Sequence, residues 1–307
     1  LAERKHMIET TFSPGSVCCG AFCVLWLLNA AMCLLTCVAY NPMFISEVRV
    51  KHIADEFANA HIVCLPGTAK KYDPLVGPHK QTRCDRFTQH DWGWGNQPGI
   101  NKSCGVTIMC RRDVLPESAI KYTLDPPKRL QGRAGVVRYK NKIMDITIIC
   151  AYFAPRTGKQ FKKVNEELAE WIMKVLKKLP NRTTVVFATD ANAHMGESPP
   201  QSNCSKYVGP CDKAKENENG IMFRQLLTDM SYSAVNTFYP TGPTFFGANS
   251  SETRTDYICI KETHLSKVKS CSMWMNSGDK LQPFKTLERR EHRPLAIQLE
   301  CELEYSA

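Results

Sequence analysis

The stretch Thr183 to Gly196, T-T-V-V-F-A-T-D-A-N-A-H-M-G, narrows the folds open to this chain more than any other. Thr184, Val185, Val186 and Phe187 form a short apolar, β-branched run, and its length and composition predict a buried strand rather than a helix. The run breaks at Asp190, followed by Asn192 and His194, and closes at Gly196. Side chains two apart on an extended chain share a side. A carboxylate and a carboxamide would therefore project together from a strand end. Three readings stay open: a site on a strand end, an ordinary polar turn, or a calcium loop. The last fits poorly, since the glycine falls one place late and no acidic ligand closes a loop of about twelve residues.

The flanking chain alternates helix and strand patterns. Lys159 to Leu179 repeats Phe161, Val164, Leu168, Ile172, Val175 and Leu179 at steps of three and four, with six lysines elsewhere, and predicts an amphipathic helix ended by Pro180. From Ser46, Val50, Ile53, Ala54 and Phe57 mark another helical face, followed by a strand over His61 to Leu65. Lys70 to Lys102 reads as a loop rich in Trp, Gly and basic residues; Trp92 and Trp94, near Arg83, Arg86 and Lys102, suit base stacking and phosphate contact as well as surface packing. Gly105 to Cys110 is a strand, and Ala134 to Tyr139 with Ile143 to Tyr152 forms a hairpin. Gly220 to Asp229 predicts a helix; Ser233 to Asn236, Thr255 to Ile260 and Ala296 to Leu303 predict strands. Strands joined by both hairpins and helices define an α/β domain with mixed sheets.

At 307 residues the chain admits one large domain or two ordinary ones, and 43% hydrophobic residues exclude wholesale disorder. The formal charge of +10 favours an anionic partner, nucleic acid or a membrane surface. Fifteen cysteines, an odd count without a C-x-x-C pair, point to free thiols in a reducing compartment. Four N-x-S/T sequons, at Asn101, Asn181, Asn203 and Asn249, do not overturn this, because so short a pattern is common by chance. Val17 to Ala39 carries no charge and is long enough to span a bilayer. The competing reading makes Leu34 to Tyr40 a central strand. Residues 1–32 are then an N-terminal extension and 33–303 a single domain.

Polar groups of matched chemistry recur at the strand ends: Asn41, Tyr152 in A-Y-F-A-P, Asp190 with Asn192, Asp256, and Glu291-His292. In this order they resemble the endonuclease/exonuclease/phosphatase superfamily, and in particular the apurinic-type endonuclease domain of non-LTR retrotransposons. T-D-A-N-A-H-M-G is similar to that family's G-D-x-N-x-x-x-G. E-N-E-N-G (Glu216 to Gly220) and V-N-T-F-Y-P-T-G-P-T-F (Val235 to Phe245) are like retroelement copies, and R-T-D-Y-I and R-E-H-R-P-L match further motifs. The resemblance covers Leu34 to Leu299. It implies a four-layer α/β sandwich, two packed mixed sheets flanked by helices, and hydrolysis of a phosphodiester assisted by Mg²⁺ or Mn²⁺.

On that resemblance Asp190 orients or deprotonates water, Asn192 holds water and phosphate, and Asn41 positions them. Tyr152 donates to a phosphate oxygen, while His292, oriented by Asp256, stabilises transition-state charge. Glu291 and Asp190 are the implied metal ligands, and Arg133 a supporting group. Three positions depart from the pattern. Gly67 stands where the family carries a metal-binding glutamate, Glu291 replaces an aspartate, and Met43 replaces an acidic residue. Restoring the carboxylate by Gly67→Glu is expected to raise metal affinity and rate. The expected protein is a monomeric, nuclear DNA endonuclease of retroelement type, or a weakened copy. The alternatives are a non-catalytic nucleic-acid-binding remnant and a phosphodiesterase acting on lipid head groups, which would use residues 17–39 for membrane association.

Overall fold

The computed structural model describes residues 31–95, 103–157, 160–196, 206–211, 214–247, 251–282 and 291–303. The chain begins with β1 (Ala31–Ala39), α1 (Glu47–Glu56), β2 (Ile62–Pro66), β3 (His79–Cys84), β4 (Phe87–Trp92) and β5 (Val106–Arg111). It continues through β6 (Ile120–Leu124), β7 (Ala134–Lys140), β8 (Asp145–Tyr152), α2 (Phe161–Lys177), β9 (Thr184–Asp190) and α3 (Glu218–Met230). Then come β10 (Tyr232–Ala234), β11 (Phe245–Phe246), β12 (Glu252–Thr253) and β13 (Asp256–Lys261). Last are β14 (Val268–Met273), α4 (Met275–Lys280), β15 (Glu291–His292) and β16 (Leu295–Leu303).

One sheet has the order β14-β16-β1-β2-β5-β4-β3 and the other β10-β13-β9-β8-β7-β6, with a small ribbon β12-β11-β15 at the edge. Each large sheet contains one parallel pair, β1 with β2 and β8 with β9, and its other pairs are antiparallel. Each parallel pair is connected through a helix, as parallel neighbours require. Both sheets are therefore mixed.

Three apolar layers hold the sandwich. Leu35, Ile62, Ile108, Ile148, Val186, Ile258 and Ile297 fill the space between the sheets. Leu168 and Ile172 of α2 and Phe223 and Leu226 of α3 pack with Ile149 and Phe187 on the outer face of one sheet. Val50, Ile53 and Phe57 cover Val38, Val63 and Met109 on the other. Each such side chain contributes about 1.5–3 kcal/mol on burial. The four-layer α/β sandwich expected from the sequence is the observed fold. Helix α1 starts where Ser46 accepts a hydrogen bond from the Arg49 amide at 3.2 Å, and α3 where Asn217 accepts from Gly220 at 2.7 Å.

Of the two readings of Val17 to Ala39, the strand is the one observed: Ala31–Ala39 forms β1, between β16 and β2, and the rest of the run lies outside the described residues. No helix among the described residues is long and apolar enough to cross a membrane. The predicted loop Lys70 to Lys102 contains the β3–β4 hairpin, whose strands extend the first sheet; Lys102 lies outside the described residues. The strand signal was hidden because β3, H-K-Q-T-R-C, is an exposed edge strand with little apolar content.

Trp92 ends that hairpin with its ring in the inter-sheet layer, 1% exposed, stacked on His79 at 4.6 Å between ring centroids. A Cβ on Gly135 of β7 would run into this ring. Gly135→Ala is accordingly expected to cost about 1–3 kcal/mol through overpacking. Urea denaturation would read it as a lower midpoint at unchanged slope, and an unchanged midpoint would contradict the packing described.

Candidate active site

The strand ends gather at one edge of the sandwich for a topological reason. Val186 and Ala188 of β9 point into the inter-sheet layer, so Asp190, two further on, points the same way at its rim. Asp256 lies opposite Asp190 on the antiparallel neighbour β13, and Tyr152 opposite it on the parallel neighbour β8. Facing them across the layer, Asn41 follows β1 and Gly67 follows β2. His292 arrives on β15, paired with Phe245 of β11. A row of polar groups thus closes the end of an apolar layer.

Hydrogen bonds lock the row. Asn41 Nδ2 donates to Asp190 Oδ2 at 2.8 Å, and its Oδ1 accepts from the Met43 amide at 2.8 Å. The Asn192 amide donates to Asp190 Oδ1 at 3.0 Å. Asp256 Oδ2 holds His292 Nδ1 at 2.7 Å, leaving Nε2 3.3 Å from Asn41 Nδ2 and 3.8 Å from Asp190 Oδ2. Asp190, Asp256 and His292 are all buried, and together offer ligand atoms within 4.8 Å of one another.

Burial sets the protonation. Loss of solvent, then the nearby Asp256 charge, pushes Asp190 up to about 7, against the pull of His292 and the Asn192 and Asn41 donors. For His292, burial works against the imidazolium, but the charge and hydrogen bond of Asp256, with Asp190 and Glu291 beyond, raise it. The Tyr152 phenol is also raised, by burial and then by Asp190, so it remains a proton donor.

Asn192 reaches the site by a different route from the expected alternation. The chain leaves β9 at Asp190, and Asn192 adopts a left-handed φ of 46°. Its Nδ2 donates to the Phe153 carbonyl at 2.9 Å. Arg133 supports Tyr152 from below: its guanidinium lies 5.8 Å from the ring centroid and Nη1 donates to the Tyr152 carbonyl at 3.4 Å.

Sequence motifs alone assign no role to several positioning groups. In E-N-E-N-G, Asn217 accepts from the His194 amide at 3.1 Å, and Asn219 donates to the Asn192 carbonyl at 3.1 Å. Asn165 of α2 donates to Asn219 Oδ1 at 3.1 Å. In V-N-T-F-Y-P-T-G-P-T-F, Asn236 donates to the Asp256 carbonyl at 3.0 Å and Thr244 Oγ1 accepts from the Asp256 amide at 3.0 Å. Phe245 packs on the His292 ring at 4.8 Å. These two motifs hold the loop after β9 and the Asp256–His292 pair.

Other expected site residues are placed elsewhere. Trp92 cannot stack on a base, because it is buried with Nε1 donating to Asp125 at 2.8 Å. Trp94 is half-buried, donates to the Ala69 carbonyl at 3.0 Å, and has Lys71 5.6 Å from its ring centroid. Arg83 is paired with Glu117 at 2.7 Å and Arg86 with Asp85 at 3.5 Å. Glu291 does not join Asp190 in the cluster. It alternates with His292 on β15, and the charges acting on it include Arg293, Arg49 and Asp279; burial pushes its carboxyl up to about 7.

Gly67 is the sharpest correction. Its φ is 74°, and a Cβ there would lie 2.5 Å from Asn41 Oδ1 and 2.7 Å from Nδ2. The Asn41 side chain occupies the space a glutamate would need. The donor set nonetheless suits a hard divalent cation: Asp190 and Asp256 supply carboxylate oxygens, and Asp256 Oδ1 is buried without a hydrogen-bond partner among the described residues.

No protein-family model matches the chain, and no curated protein matches it. Solved structures do. An AP endonuclease from Leishmania major, LMAP, is similar at 12% identity with a TM-score of 0.59, over 87% of this chain and 88% of that one. The endonuclease domain of TRAS1, a telomere-specific non-LTR retrotransposon, is similar at 14% identity with a TM-score of 0.52, over 88% of this chain and 100% of that one. A 3′ phosphatase from Neisseria, NExo, bound to product DNA hairpin, is similar at 14% identity with a TM-score of 0.56, over 89% of this chain and 100% of that one. At these identities the likeness establishes the fold, which is that of the AP endonucleases.

Proposed function

We propose that this chain hydrolyses phosphodiester bonds in DNA with the help of Mg²⁺ or Mn²⁺, as an endonuclease of retroelement type. The observation that carries the reading is the buried cluster of Asp190, Asp256 and His292 at the open edge of an AP endonuclease fold. The E-N-E-N-G and N-T-F-Y-P motifs, which brace this cluster, support the retroelement assignment. Work inside the nucleus follows from that assignment.

Asp190, fixed by Asn41 and the Asn192 amide, takes the proton of the attacking water. His292 presents Nε2 to the phosphoryl oxygens while Asp256 fixes Nδ1 and stabilises the imidazolium. The Tyr152 phenol donates a hydrogen bond to a phosphate oxygen, and the bond from phosphorus to the leaving sugar oxygen breaks as water adds. A divalent cation would be held by Asp190 and Asp256, and when bound it supplies neutralisation of charge developing on the phosphate.

Supercoiled plasmid incubated with the protein should be nicked with Mg²⁺ and left intact with EDTA. Equal nicking in EDTA would contradict metal assistance. Cleavage of a glycerophospholipid in place of plasmid would move the substrate to lipid head groups. Binding to duplex DNA should weaken steeply with salt, because the chain carries a formal charge of +10 and phosphate contacts release counterions. A flat salt response measured by fluorescence anisotropy would argue against a nucleic-acid partner.

A further inference from the structure

The edge opposite the cluster carries a polar cavity. Its volume is about 290 Å³, and it opens among the ends of β7 and β16, the starts of β8 and β9, and the turn before β14. Along β9 this edge is about 20 Å from Asp190. No single phosphate can touch both sites.

Lys140, Lys142, Arg182 and Lys267 line the cavity, against one carboxylate among the described residues, Asp145. That carboxylate is already committed: Arg138 grips it with two bonds of 2.8 and 2.7 Å. Arg182 stands 3.7 Å from it. Lys140, Lys142 and Lys267 make no ion pair among the described residues. His264 lines the same cavity, with its Nδ1 buried and lacking a hydrogen-bond partner among the described residues. Burial, then the charges of Lys267 and Lys261, hold this imidazole below its ordinary pKa.

Like charges gathered around a cavity repel one another, and an anion seated among them relieves the repulsion. A phosphate group fits because its several oxygens can accept from ammonium, guanidinium and imidazole donors together. We propose that this cavity is a second phosphate-binding site, separate from the hydrolytic cluster. Its occupant is a phosphate group, carried either by a nucleic-acid strand or by free phosphate.

The test is a titration of the intact chain followed by NMR of the His264 ring, with inorganic phosphate, with a short single-stranded oligodeoxynucleotide, and with chloride at matched ionic strength. Phosphate should move the His264 signals saturably and raise its pKa, while chloride should not. In Lys142→Gln/Lys267→Gln, phosphate affinity should fall at least about tenfold, a loss of about 1.4 kcal/mol. Plasmid nicking by that variant should be unchanged. If the oligonucleotide saturates the site at lower concentration than phosphate does, the phosphate comes from nucleic acid; a response to inorganic phosphate alone assigns it to the free anion. The proposal is overturned if chloride acts like phosphate, if His264 does not respond, or if the double variant binds phosphate as the parent does. The phosphate and His264 readouts do not depend on whether the Asp190 cluster is hydrolytic.

Discussion

Asp190→Asn is expected to slow DNA nicking by about 10²–10⁴-fold, the range for removing a positioned general base. The carboxylate is buried and held by two donors, Asn41 Nδ2 and the Asn192 amide. The carboxamide keeps its size but cannot accept a proton. The pH dependence follows from the same burial. Burial pushes Asp190 up, so its base form is depleted towards acid pH. The rate should rise with pH on the acid side and then level off. With His292 raised, and in the proposed reading serving as the imidazolium, the rate should fall again once His292 loses its proton. Single-turnover rates between pH 5 and 9 would check both limbs. A flat profile, or an Asp190→Asn variant as fast as the parent, would remove Asp190 from the chemistry.

Gly67→Glu is expected to lose function rather than gain it, although the family pattern argues the opposite. A side chain at a φ of 74° costs about 1–3 kcal/mol, and its Cβ would sit 2.5 Å from Asn41 Oδ1. Asn41 must move, and with it goes the bond that aims Asp190. Misplacement of this kind costs on the order of 10²-fold in rate. Gly67→Ala separates the two contributions, since it brings the strain and the Cβ clash without the carboxylate. Thermal denaturation and nicking rates of both variants, across a Mg²⁺ titration, give the answer. Faster nicking by Gly67→Glu at lower Mg²⁺ would show that this position still belongs to a metal site.

The sequence made most of the fold legible where apolar periodicity was strong. Helix α2, the β7–β8 hairpin and strand β9 lie close to their expected positions. The edge strands β3 and β14 and the two-residue strands of the ribbon were not legible, because edges carry polar side chains and very short strands have no period. Strand β1 was legible as one of two readings of its apolar run, and only its start was blurred, because the run leading into it is also apolar. Site residues at strand ends were readable from their motifs, yet their geometry was not. Asn192 reaches the site through a left-handed turn, and Glu291 alternates away from its neighbour His292. Trp92 misled because a W-G-W-G run looks like a surface loop, while the tight contact with Gly135 draws the ring inside.

If Asp190 and His292 act as one hydrolytic unit, a double-mutant cycle reads their coupling. Single-turnover nicking in Mg²⁺ would be measured for the parent, Asp190→Asn, His292→Asn and the double variant, with fold retention checked by circular dichroism. Residues acting as a unit are strongly non-additive. A single unit gives a nicking parent, two slow single variants, and a double variant within a few-fold of the slower single. Losses that multiply, or a parent that leaves the plasmid intact, would contradict it.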